Sequence, residues 1–146
     1  MKRYLLTILS FLFLTGTISN ATVRYVSKTG SSTPPYTSWA TAADSIQKCI
    51  DISVFGDTIY VGNGVYKEQV IMIPGLSLIG SGMDSCIVDT RTMVTPSSFH
   101  AVKVKDQCYL SGFHIIVSNN YGGTSIIYRG TGIWAHPELS FWDYAI

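Results

Sequence analysis

Short apolar alternations return in this chain at a nearly even spacing. Ile71 and Ile73 recur as Val102 and Val104, then, after an equal step, as Ile133 and Ala135. Leu76 and Leu78 recur as Cys108 and Leu110, then as Leu139 and Phe141, at almost the same interval. Gly80 recurs as Gly112. One such pair is weak, because two alternating apolar residues arise easily. Several pairs in the same order across three segments point to stacked repeats, whose periods fall at roughly 20–50 residues. A single coil with alternating apolar residues has nothing to bury them against. Stacked coils share a continuous core, each strand pairing with its counterpart in the next coil. The expected class is therefore an all-β solenoid. An antiparallel sandwich, with turns about every 8–12 residues, is the alternative.

Upstream of the repeats the rhythm is helical. Trp39, Ala43, Ile46 and Ile50 form an apolar stripe, predicting an amphipathic helix over roughly 38–54. Thr41-x-x-Asp44 reads as a capping box and Gly56 as the residue that ends the helix. A solenoid end exposes an apolar cross-section and open strand edges, so a helix here is expected to cap the first coil. Beyond Gly56-Asp57 the period becomes two, with a strand at 58–61, a Gly62-Asn63-Gly64 turn and a further strand from Val65. The inward positions are expected to be Ile59, Val61, Val70, Ile71 or its alternate Met72, Leu78, Ile87, Val102, Val104, Leu110, Phe113, Ile115 and Ile133.

The stretch from Met1 to Ala21 looks like an address. Lys2-Arg3 precedes an apolar run from Tyr4 to Leu14 and a small, polar exit ending at Ala21. That layout is a secretory signal peptide; an uncleaved anchor is the alternative, although the run is shorter than the roughly 20 residues a span needs. Positions 22–146 then form one soluble domain outside the cytoplasm, with no membrane contact after cleavage. The net charge of +1 and the absence of a basic stripe argue against nucleic acid as a partner. Cys49, Cys86 and Cys108 each lie among apolar residues. Three buried thiols, or one disulfide with a spare thiol, fit that odd count. No spacing among them suits a metal, so no metal site is expected.

The run Trp39…Thr41-Ala42-Ala43…Ile46-Gln47…Ile50-Asp51…Gly56-Asp57-Thr58-Ile59-Tyr60-Val61…Gly64-Val65-Tyr66-Lys67-Glu68 resembles the N-terminal end of secreted right-handed parallel β-helix proteins, the pectate lyase-like superfamily. Leu110-Ser111-Gly112-Phe113-His114-Ile115 looks like a rung of those repeats, and Gly130-Thr131-Gly132-Ile133 like the start of the next. The resemblance covers about Tyr25 to Trp134. It implies a right-handed parallel β-helix with an N-terminal amphipathic capping helix. It also implies a carbohydrate-active protein, such as a lyase or pectin esterase acting on acidic polysaccharide. A non-catalytic extracellular solenoid that binds glycans, or serves as an adhesin, is the other reading.

Lyases of that kind hold Ca²⁺ with clustered carboxylates beside an Arg or Lys base, and the resemblance admits Ca²⁺ in a longer protein. The candidates here are Asp84, Asp89 and Arg91; turn-capping carboxylates and a solvated arginine are the plainer assignment. His114 follows Phe113 and should face outward if Phe113 faces inward. With Asn119, Asn120 and Tyr121 it is a candidate sugar contact. Tyr121, Tyr128, Trp134, Phe141, Trp142 and Tyr144 form a dense aromatic group suited to core packing or to a saccharide groove. The acids are scattered singly and only three to four coils fit after Asp57, so this chain is expected to be a catalytically silent fragment of a longer protein. Its C-terminal end, from about Trp134 to Ile146, is expected to expose strand edges and favour self-association.

Overall fold

The structure, a computed structural model, describes residues 20–93, 101–116 and the backbone of 133–134. The leader, Asn119, Asn120, Tyr121 and the aromatic group beyond Trp134 lie outside the described residues, as does the C-terminal end expected to self-associate.

Among the described residues strands dominate, and all but one of their pairings are parallel. A sheet of five strands runs β1 (Val23–Val26), β2 (Thr58–Val61), β5 (Ser77–Gly80), β8 (Tyr109–Ser111) and β10 (Ile133–Trp134). A second sheet joins β3 (Gly64–Tyr66), β6 (Cys86–Asp89) and β9 (His114–Ile116), and a third joins β4 (Val70–Ile71) to β7 (Val102–Lys103). From β2 onward, successive strands visit the three sheets in turn: β2, β3 and β4, then β5, β6 and β7, then β8 and β9.

The sequence of each strand explains which face it buries. In β1 and β2, Val-Arg-Tyr-Val and Thr-Ile-Tyr-Val alternate, so Val26, Ile59 and Val61 face inward while Tyr25 and Tyr60 face out. Neighbouring strands repeat the choice. Ile59 pairs with Leu78, and Leu78 with Leu110; Tyr66 pairs with Val88, and Val88 with Ile115; Val70 pairs with Val102. All of these are buried in one hydrophobic cluster.

Several expectations are corrected. Leu78 pairs with Leu110 as their recurrence predicts, but Ile59, its partner on the other side, is much nearer to it along the chain. The turns between sheets differ in length, so the repeat is uneven. Val102 pairs with Val70, not Ile71, and Ile71 is 42% exposed while Met72 is buried. Positions 70–73 are all apolar, so composition does not set their parity there, and a one-residue slip swaps every face. Ile87 is only half-buried because Cys86 and Val88 face inward. Val104 is partly buried against the core cluster. Ile133 does not pair with Val102; it pairs antiparallel with Leu110.

The helix is the largest correction. Helix α1 spans Ile46–Ile50 alone, not 38–54. Its start is set by Ser45, which is extended and takes a hydrogen bond from the Lys48 N–H. The Glu68 carboxylate then accepts from Ser45 Oγ (2.6 Å), Ile46 N (2.9 Å) and Gln47 N (3.0 Å), satisfying N–H groups that any helix start leaves open. Thr41 and Asp44 form no capping box: the Thr41 hydroxyl bonds the Ser38 hydroxyl, and Asp44 holds Lys48 and Ser32. The helix ends at Asp51, well before Gly56.

The open edge of β1 is closed by a strap instead of a helix. Tyr25 N donates to Tyr36 O (2.8 Å), Ala43 N to Tyr25 O (3.0 Å) and Ser27 N to Ala43 O (2.8 Å). Positions 31–33 pair back on Ala40, Thr41 and Ala42, which holds the strap together. Tyr36 seats its buried ring in the core cluster. Below the strap, Asp57 is fully buried and binds Arg24 Nε (3.2 Å), Thr22 N (2.7 Å) and Val54 N (3.0 Å), while Arg24 also donates to Pro35 O (2.7 Å). This paired, hydrogen-bonded ion pair ties the first strand to the turn before the second.

Candidate functional site

Alternation in β1 and β2 puts Tyr25 and Tyr60 on the outer face, and parallel register sets them side by side. Their ring centroids are 6.1 Å apart and their planes 26° from parallel. Trp39, at the bend of the strap, packs on Tyr25 with centroids 4.7 Å apart at 54°. Trp39 is 51% exposed and Tyr60 39% exposed, so the cluster is an aromatic platform open to solvent. The row continues through Ile79 on β5 and Ser111 on β8.

The seat of Trp39 is a glycine. A Cβ on Gly62 would meet Trp39 Cζ3 at 3.3 Å, tighter than ordinary contact, so the bare backbone lets the indole lie close to the sheet. Gly62 is pinned on both sides: its N–H donates to Val26 O (2.8 Å), and Tyr66 Oη donates to its carbonyl (2.9 Å). Burial pushes the Tyr66 phenol well above its ordinary pKa, so it remains a donor.

Sequence reasoning does not single out this platform. It places Trp39 in the buried helical stripe, which the short helix overturns. The signal available is period two: Tyr25 between Arg24 and Val26, and Tyr60 between Ile59 and Val61.

The expected acid–base candidates do not converge. Asp84 precedes β6 and Asp89 ends it, so the strand length of about 10 Å separates the two ends. Asp89 is engaged by Arg91 through two side-chain bonds, Nε to Oδ1 (2.9 Å) and Nη2 to Oδ2 (2.8 Å), and accepts the Arg91 N–H as well. Those hydrogen bonds hold the Asp89 carboxyl down to about 2 and raise Arg91 above its usual value. A carboxylate held so low, locked to a guanidinium held so high, is poorly poised to move a proton near neutral pH. Among the described residues no group of three His, Cys, Asp or Glu is placed to hold a metal ion.

His114 sits on β9 between buried Phe113 and Ile115; it is half-buried, and its Nε2 is closed off from solvent. It belongs to the second sheet, in register with Ile87, and is not part of the platform. Its Nε2 has no hydrogen-bond partner among the described residues. Asn119, Asn120 and Tyr121, its expected companions, lie outside the described residues.

No protein-family model matches this chain, and neither does any curated protein or solved structure.

Proposed function

We infer that this chain is an extracellular β-solenoid, of the pectate lyase-like kind, that binds glycans without transforming them. The observation that carries the reading is the exposed Trp39–Tyr25–Tyr60 platform. Large aromatic rings left open to water cost free energy unless a partner covers them, and their faces suit the apolar faces of sugar rings. The cycling of strands through three sheets supports a solenoid, and the handedness usual for parallel crossovers would make it right-handed. The charged, then apolar, N-terminus supports export. Binding is preferred to catalysis because Asp89 is committed to Arg91 and Asp84 lies at the other end of its strand.

The test is a glycan array probed with the purified protein and with two variants. Trp39→Ala should weaken binding by about tenfold, corresponding to about 1.4 kcal/mol of lost stacking. Phe55→Ala, which alters an exposed aromatic beside Gly75 that takes no part in the Trp39–Tyr25–Tyr60 ring contacts, should leave binding unchanged. Binding that survives Trp39→Ala and Tyr60→Ala together would refute the reading.

A further inference from the structure

We propose that the platform takes an uncharged glycan, a neutral pyranose polymer laid across β1, β2 and β5, and not an acidic polysaccharide. This rests on the glycan-binding reading and narrows it to one ligand class.

The charge distribution carries the proposal. Among the described strands of the five-stranded sheet, Arg24 is the one charged residue. It points inward and is neutralised by buried Asp57. The outer face next to the platform offers hydroxyls instead. Thr58 and Ser77 pair on one side of the aromatic row; on the other, Ser27 and Ser81 flank Gly62, with their hydroxyls bonded to Thr29 and Asn63. A uronate polymer would bring a carboxylate at each residue onto this face. It would lose water there and find no free ammonium or guanidinium on the described strands in return, since Lys28, in the turn after β1, is held over the Tyr66 ring (4.3 Å) and on the Asp44 carbonyl (3.0 Å). A neutral polymer brings apolar ring faces for Tyr25, Tyr60 and Trp39, and hydroxyls that the Ser and Thr side chains can bond.

The direction follows from the register. The aromatic row runs from strand to strand, Tyr25 to Tyr60 to Ile79, at the spacing of neighbouring strands, about 4.8 Å. A chain lying along it crosses the strands instead of following one of them. Ile79 is the apolar continuation of the row.

The experiment is affinity electrophoresis of the whole protein through gels containing neutral β-glucan, xylan or mannan, or containing polygalacturonate or alginate, each at low and high salt. The expected result is retardation by at least one neutral polymer, insensitive to salt and lost in Trp39→Ala. Ser77→Lys should then add a salt-sensitive retardation by polygalacturonate while leaving the neutral interaction in place. Ile79→Tyr should increase retardation by the neutral polymer. Salt-sensitive binding of unaltered protein to polygalacturonate, still dependent on Trp39, would overturn the neutral assignment and leave the glycan platform standing. Retardation by no polymer would overturn both. Circular dichroism of each variant separates lost binding from lost folding, and the two gain-of-binding variants give readouts that misfolding cannot mimic.

Discussion

Asp57 shows how one residue can organise a fold while looking like turn punctuation. Its carboxylate receives three donors from three segments: Thr22 before β1, Arg24 within it and Val54 after the helix. Its own carbonyl accepts the Ser77 N–H, joining a fourth. Asp57→Ala would leave Arg24 buried with only Pro35 O as a partner and two backbone N–H groups unpaired. The expected cost is about 3–5 kcal/mol, measured by urea unfolding. A cost below about 1 kcal/mol would mean that water reaches Arg24 and that the pair is not a latch. Asp44 and Lys48 make the opposite case. Their bond is short, at 2.6 Å, but both side chains are about half exposed, so solvent screens it and little stability depends on it.

At the scale of elements, the close approach of β5 and β8 is decided by two glycines. Gly80 and Gly112 face each other so closely that a Cβ on either would collide with the carbonyl of the other. Gly112 also has φ +74°, in the left-handed region that glycine tolerates. Gly112→Ala carries both penalties and Gly80→Ala only the collision. Thermal unfolding should therefore rank Gly112→Ala as the more harmful, with about 1–3 kcal/mol of backbone strain added to the collision that the two variants share. Equal costs for the two would show that the loop relaxes out of the left-handed region. The sequence announces this pair, because Gly80 and Gly112 recur at the same spacing as Leu78 and Leu110. It does not announce the strap. Positions 29–37, TGSSTPPYT, carry turn-forming residues and no periodicity, yet Tyr36 anchors them in the core and they close the edge of β1.

Among the described residues the core is one cluster, and the three cysteines lie within it, each a free thiol. Of the two arrangements open from sequence, the disulfide with a spare thiol is not formed. Burial pushes the Cys49 thiol up to about 12 and Cys86 up to about 11, so neither is an effective thiolate near neutral pH. An aromatic disulfide reagent should label none of the three in folded protein and all three in denaturant, at the rate of global unfolding. A thiol labelled at once under native conditions would show that part of the core is open. The same shared core explains what was legible beforehand. Alternation within β2, β8 and β9 determined which residues face inward, because a strand has only two faces and burial selects the apolar one; β1 departs from this, burying Arg24 with Val26 and leaving Val23 exposed. The strand-rich class followed from the recurring pairs for the same reason. Parity in the apolar runs at 70–73 and 86–88, and the unequal steps between paired strands, were decided only by pairing with neighbours, since every register of such a run looks alike in isolation. The short helix was likewise a tertiary outcome: Glu68, far along the chain, fixes where it begins. The platform needed both levels. Period two turns Tyr25 and Tyr60 outward, but strand register brings them together, and the strap and the bare backbone of Gly62 bring Trp39 beside them.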